Sequence, residues 1–77
     1  MNRQECLADL RPGQSAAILR LENADPLRRR LLDMGLTANT PVECIGRSPL
    51  GDPSAYLVRG AVIAIRAEDG RNIIIRR

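Results

Sequence analysis

The sequence predicts a mainly β domain: a small, partly open antiparallel barrel of about five short strands, with one short α-helix between strands one and two. Three observations predict it. Short strand-like segments recur between close-set turn signals such as Arg11-Pro12-Gly13, Ser48 to Pro53 and the glycine at Gly60. Only one stretch, Asp25 to Leu36, has the period and end signals of a helix. At 77 residues and 8.5 kDa there is room for a single small core, and closing the sheet removes its exposed edges. Residues 1–77 are therefore read as one domain, with 1–6 polar and loosely ordered.

Leu7 and Leu10, one turn apart, plug one end of the core before Pro12-Gly13 turns the chain. Ser15 to Glu22 is the first strand. Ala17, Leu19 and Leu21 alternate against Ala16, Ile18 and Arg20, so both faces are partly apolar and the pattern leaves the inward face open. The helix follows: Asp25 is placed to cap it, Pro26 to occupy its first position, and Gly35 to end it in a left-handed conformation. At about 100° per residue, Leu27, Leu31 and Met34 share a buried face, with Arg29 and Asp33 opposite. Leu32 falls off that stripe, on the arginine side.

Asn39 tolerates positive φ in the turn that leads to the second strand, Pro41 to Arg47, where Val42 and Cys44 share the inner face. Two prolines then make a rigid loop in which Leu50 is either presented at the tip or folded back onto the core. Ala55 to Arg59 and Ala61 to Arg66 are strands three and four, joined at Gly60. Ala67 to Asn72 reads as a polar turn, and Ile73-Ile74-Ile75 as the last strand. Tyr56 is expected half-buried at the rim, Cys44 in the core and Cys6 exposed.

Composition removes several functions. There is no histidine, so the commonest general base and the commonest metal ligand are both absent. No nucleophile–base pair and no phosphate-cradling glycine loop is present, which argues against an enzyme. Glu43, Asp52 and the Glu68-Asp69 pair lack a spacing that gathers three ligands, so no metal site and no cofactor is assigned beyond weak divalent binding. A single tyrosine argues against proline-rich peptide grooves and base-stacking surfaces. The net charge of +3 comes from twelve arginines, no lysine and nine interspersed acids, and gives only weak support to nucleic-acid binding through Arg28, Arg29, Arg30, Arg47 and Arg59. No apolar run approaches the roughly 20 residues of a membrane span.

Protein binding is the class that remains. Arg28 and Arg29 frame Leu32 on the helix, a composition suited to a carboxylate-bearing partner. The Pro49–Pro53 loop, with Leu50 and Asp52, is a second candidate because its shape is set in advance.

Taken together, Pro12-Gly13, Arg30-Leu31-Leu32-Asp33-Met34-Gly35-Leu36, Ser48-Pro49-Leu50-Gly51-Asp52-Pro53, Val58-Arg59-Gly60 and Ile65-Arg66-Ala67-Glu68 resemble the ferrous iron transport protein A family, FeoA-like. The resemblance runs from Leu7 to Ile75. Asn39 stands where that family usually has glycine, and Gly70 where it tends to have alanine, which should loosen the last turn. The resemblance implies an SH3-like barrel and a free-standing cytoplasmic accessory of ferrous iron uptake. Its implied partner is a membrane ferrous iron permease that carries a GTP-binding domain, with no nucleic acid and no membrane insertion. The alternative is a metal-responsive or nucleic-acid-binding SH3-like module that uses the arginine-rich surface.

Overall fold

Five antiparallel strands form one sheet in the computed structural model, which describes residues 4–77. They are β1 (Ser15–Leu21), β2 (Pro41–Arg47), β3 (Ser54–Val58), β4 (Ala61–Ile65) and β5 (Ile73–Arg76), in the spatial order β4-β3-β2-β1-β5. A 3-10 turn, Leu7–Asp9, precedes β1; α1 (Leu27–Asp33) lies between β1 and β2, and α2 (Ala67–Gly70) between β4 and β5.

The first strand is ambiguous in sequence because it carries a bulge. Ile18 pairs with Ile75 and Arg20 with Ile74, so Leu19 is an extra residue on β1. Before the bulge Ala16 and Ile18 pack inward; after it the phase shifts and Leu21 does. A second bulge, at Ile45 of β2, falls just after the inward residues Val42 and Cys44. The β3–β4 hairpin closes over Arg59 and Gly60, whose φ values of 51° and 80° are the pair of positive angles that a two-residue turn matched to strand twist demands. Arg59 therefore belongs to the turn and not to the strand. Asn39 adopts φ 70°, as its side-chain type allows.

The core joins Leu7, Leu10, Ile18, Leu31, Leu36, Val42, Val58 and Ile73 with Cys44 and Tyr56. Tyr56 is no rim residue. It is 2% exposed, and its hydroxyl donates to the Leu7 carbonyl at 3.3 Å, so the phenol's polar end is satisfied inside. Cys6 is buried too, because the chain at residues 5 and 6 is held against β5. The Ile75 N–H donates to the Glu5 carbonyl at 3.0 Å, and Cys6 bridges Ile74. Asp9 accepts from the Cys6 N–H at 3.0 Å. The segment expected to be loose is thus tied down at 5 and 6, while residues 1–3 lie outside the described residues.

The helix is shorter than its pattern. Its N-cap falls on Pro26, whose side chain has no acceptor, and Asp25 makes no capping bond. Its end follows the sequence closely: Gly35 has φ 101°, the Leu36 N–H reaches the Leu31 carbonyl at 3.1 Å and the Gly35 N–H the Leu32 carbonyl at 3.0 Å. These two bonds satisfy carbonyls that a helix end would otherwise leave free, and Leu31 and Leu36 bury together beside them. Leu31 is 2% exposed, Leu27 half-buried, and Met34 38% exposed. The apolar stripe therefore sinks on one residue and tilts the other two toward a groove.

Residues 67–70 are helical instead of a plain turn. The Asp52 carboxylate accepts from the Ala67 N–H at 2.9 Å, satisfying one free donor at the start of α2 from the other side of the base of the β3–β4 hairpin. Gly70, expected to loosen the last turn, is packed closely on one side. It is buried against the 3-10 turn, where a β-carbon would stand 3.3 Å from the Ala8 nitrogen.

Candidate functional site: the arginine face of α1

Helix α1 presents Arg28 and Leu32 toward β1. Together with Ile18, Leu19, Arg20 and Leu36 they line a groove of about 210 Å³. The sequence logic of the site is periodic: Leu31 fixes the helix from below, so Leu32, one step around, must lie at the margin of the core. It is half-buried there. The floor comes from the buried Ile18 and Leu36, and Leu19 reaches the rim, 39% exposed, because the bulge turns it outward. Arg28 has no hydrogen-bond or ion-pair partner among the described residues. Arg20, on the opposite wall, donates to Glu22 at 2.9 Å and to Gln4 at 2.6 Å.

Of the residues singled out in the sequence, the structure brings Arg28 and Leu32 into one site. Arg29 is exposed on the same helix but does not line the groove. Leu50 is 94% exposed at the tip of the proline loop, and Asp52 in that loop has one carboxylate oxygen engaged with Ala67. The loop is therefore a second surface. Arg20 and Leu19 were missed, since only the bulge in β1 places them beside the helix. An apolar pattern on both faces of one strand is the signal that such a phase change leaves in a sequence.

Two arginines of the basic set have internal work. Arg47 donates to the Leu10 carbonyl at 3.1 Å. Arg59 reaches the Gly35 carbonyl at 3.3 Å through Nε and the Thr40 hydroxyl at 3.1 Å through Nη2. Both guanidinium groups tie loops together, which draws them away from any shared basic surface. Among the described residues, no three cysteine, aspartate or glutamate side chains are grouped to hold a metal ion. No helix among them is long and apolar enough to cross a membrane. Burial pushes the Cys6 thiol up, assisted by the hydrogen bond and negative charge of Asp9, so this cysteine is held as the unreactive thiol.

A single small antiparallel sheet with a helix over one end, an apolar groove and unpaired arginines defines a small β-barrel domain of SH3-like build. Solved structures share it. FeoA from Chlorobium tepidum superposes with a TM-score of 0.89 at 26% identity, covering 94% of this chain and 69% of that one. The zinc complex of FeoA from Stenotrophomonas maltophilia, described as an SH3 domain protein, superposes with a TM-score of 0.83 at 21% identity, over 92% of this chain and 88% of that one. The chain belongs to the FeoA domain family: the family's sequence model matches residues 6–77. The family is associated with ferrous iron transport. The chain is also 31% identical over 67 residues to an Fe(2+) transport protein A/Fe(2+) transporter FeoB fusion protein of Porphyromonas gingivalis (strain ATCC BAA-308 / W83). That match takes in 87% of this chain and spans 8% of the length of the fusion protein.

Proposed function

We propose that this domain is a cytoplasmic accessory of ferrous iron uptake that works by contact with the cytosolic, GTP-binding part of a membrane ferrous iron permease. The observation that carries the reading is the fusion relative, in which a transport protein A and FeoB are one polypeptide. Covalent joining keeps two parts at high effective concentration, as expected of parts that work in contact. The α1–β1 groove supports the reading from the side of geometry. Leu32 and Leu19 offer an apolar anchor point, and Arg28, unpaired among the described residues, suits a carboxylate on the partner.

The test is a binding isotherm of the domain with the permease's cytosolic domain, repeated with Leu32→Ala and with Arg28→Glu. Losses of about tenfold or more for Leu32→Ala, at an unchanged melting temperature, support docking through this groove. Arg28→Glu should slow association and reduce its salt sensitivity, because rim charges act chiefly on encounter. Binding unaffected by both variants moves the docking surface to the Leu50 loop. Failure of the wild-type domain to bind at all removes the reading.

A further inference from the structure

The two edges of the sheet are treated differently. The outer edge of β5 is occupied by residues 5 and 6, through the Ile75–Glu5 hydrogen bond and the Cys6–Ile74 bridge. The outer edge of β4 has no strand beside it among the described residues. Hydrogen-bonded and non-hydrogen-bonded pairs alternate along an antiparallel ladder, and a two-residue turn makes Val58 and Ala61 a hydrogen-bonded pair. Leu57 lies opposite Val62 and Ala55 opposite Ala64. The backbone N–H and C=O groups of Val62 and Ala64 therefore face away from β3. Ala61 to Ile65 contains no charge, proline or glycine, the devices that usually close such an edge to other chains.

Alongside runs a groove of about 290 Å³ whose far wall is the other flank of α1. Leu27, Leu31 and Met34 face Ile63 across it, and the 38% exposure of Met34 is the tilt of the helix stripe toward this space. Arg30 and Arg66 also line it, with Asp69, and neither arginine has a side-chain partner among the described residues. Two unpaired guanidinium groups against one carboxylate leave the groove net positive. An open ladder, an apolar floor and this charge are together complementary to an extended chain that alternates apolar and acidic side chains.

We propose that the β4 edge and the adjoining α1 groove take an extended, acidic and apolar segment of a partner protein as a sixth strand. Val62 and Ala64 supply the backbone hydrogen bonds, Met34 and Ile63 receive the apolar side chains, and Arg30 and Arg66 pair with the carboxylates. The site is on the opposite flank of α1 from the Leu32 groove and stands independently of the contact proposed above.

The experiment is fluorescence anisotropy of a fluorescein-labelled heptapeptide that alternates valine and glutamate, titrated with the full chain at low salt. Two control peptides replace glutamate by lysine or methylate alternate backbone amides. The expected result is saturable binding of the glutamate peptide, at least about tenfold weaker for the lysine peptide and for the methylated one, since each lacks one of the two recognised features. Ala64→Pro removes an outward N–H while sparing the bonds to β3, and should cost a similar factor. Arg30→Glu with Arg66→Glu should reverse the preference between the two charges. The methylated peptide keeps the test valid should Ala64→Pro not fold. Equal binding of glutamate and lysine peptides, indifference to methylation, or no binding at millimolar peptide overturns the proposal. So does a sedimentation equilibrium dimer abolished by Ala64→Pro, which would assign the edge to a second copy of the chain.

Discussion

The side chain of Arg59 lies directly over Gly35, so close that a β-carbon at residue 35 would stand 2.9 Å from the Arg59 Cδ. The pair joins the tip of the β3–β4 hairpin to the end of α1. Gly35 supplies the φ of 101° that ends the helix, and the Arg59 arm fills the room it leaves. Gly35→Ala should destabilise the domain by about 1–2 kcal/mol from the backbone conformation alone, since the flexible arginine arm can move aside. A chemical denaturation curve gives the value.

Arg59 is itself held at φ 51°, where arginine is strained and glycine is not. Arg59→Ala and Arg59→Gly both lose the bonds to Gly35 and Thr40, but only the glycine variant relaxes the turn. Arg59→Gly should therefore be the more stable of the two by roughly 0.5–1 kcal/mol. Equal midpoints for the two variants would mean that the turn carries no such strain.

Leu31 is the one helix residue sunk fully into the core, 2% exposed beside Leu36. Truncating it to alanine should cost about 2–4 kcal/mol, a large share of the stability of a domain this size. Met34→Ala, by contrast, should cost well under half as much, because Met34 keeps much of its surface in water. Thermal melts of the two variants side by side measure the tilt of the helix stripe.

How far the sequence discloses this protein can be judged on those residues. Leu31, Val42, Cys44, Leu7 and Leu10 are buried as the spacing predicts, because local periodicity and burial agree there. Gly35, Asn39 and Gly60 are legible since backbone conformation selects residue type directly. Tyr56 and Cys6 were misplaced, the first because its hydroxyl finds a carbonyl 49 residues away and the second because β5 captures the N-terminal segment. Both depend on partners distant in sequence, which no local pattern records. The groove at Leu32 was half legible: its helix wall is periodic, but its β1 wall exists only through the bulge at Leu19.

Alkaline pH should destabilise the fold. Burial pushes both the Cys6 thiol and the Tyr56 phenol up from their ordinary values. Unfolded, these groups ionise near about pH 8.5 and 10. The stability their neutral forms contribute is fully present below those values and is lost as pH rises through the higher folded ones. Melting temperatures should thus be level near neutrality and fall above about pH 9. Cys6→Ala should remove the earlier part of the decline, and Tyr56→Phe the later part.

Leu50 and Asp52 occupy one short loop with opposite attachments. Leu50 is almost wholly in solvent, while Asp52, two residues on, grips the first N–H of α2. The tip is consequently not a free-swinging arm. Contacts run on from Asp52 into α2, and from α2 through the close seat of Gly70 on Ala8 to the N-terminal turn. Tyr56 closes the same circuit from within, its hydroxyl donating to the Leu7 carbonyl, so the loop, α2 and the N-terminal turn form one braced end of the barrel.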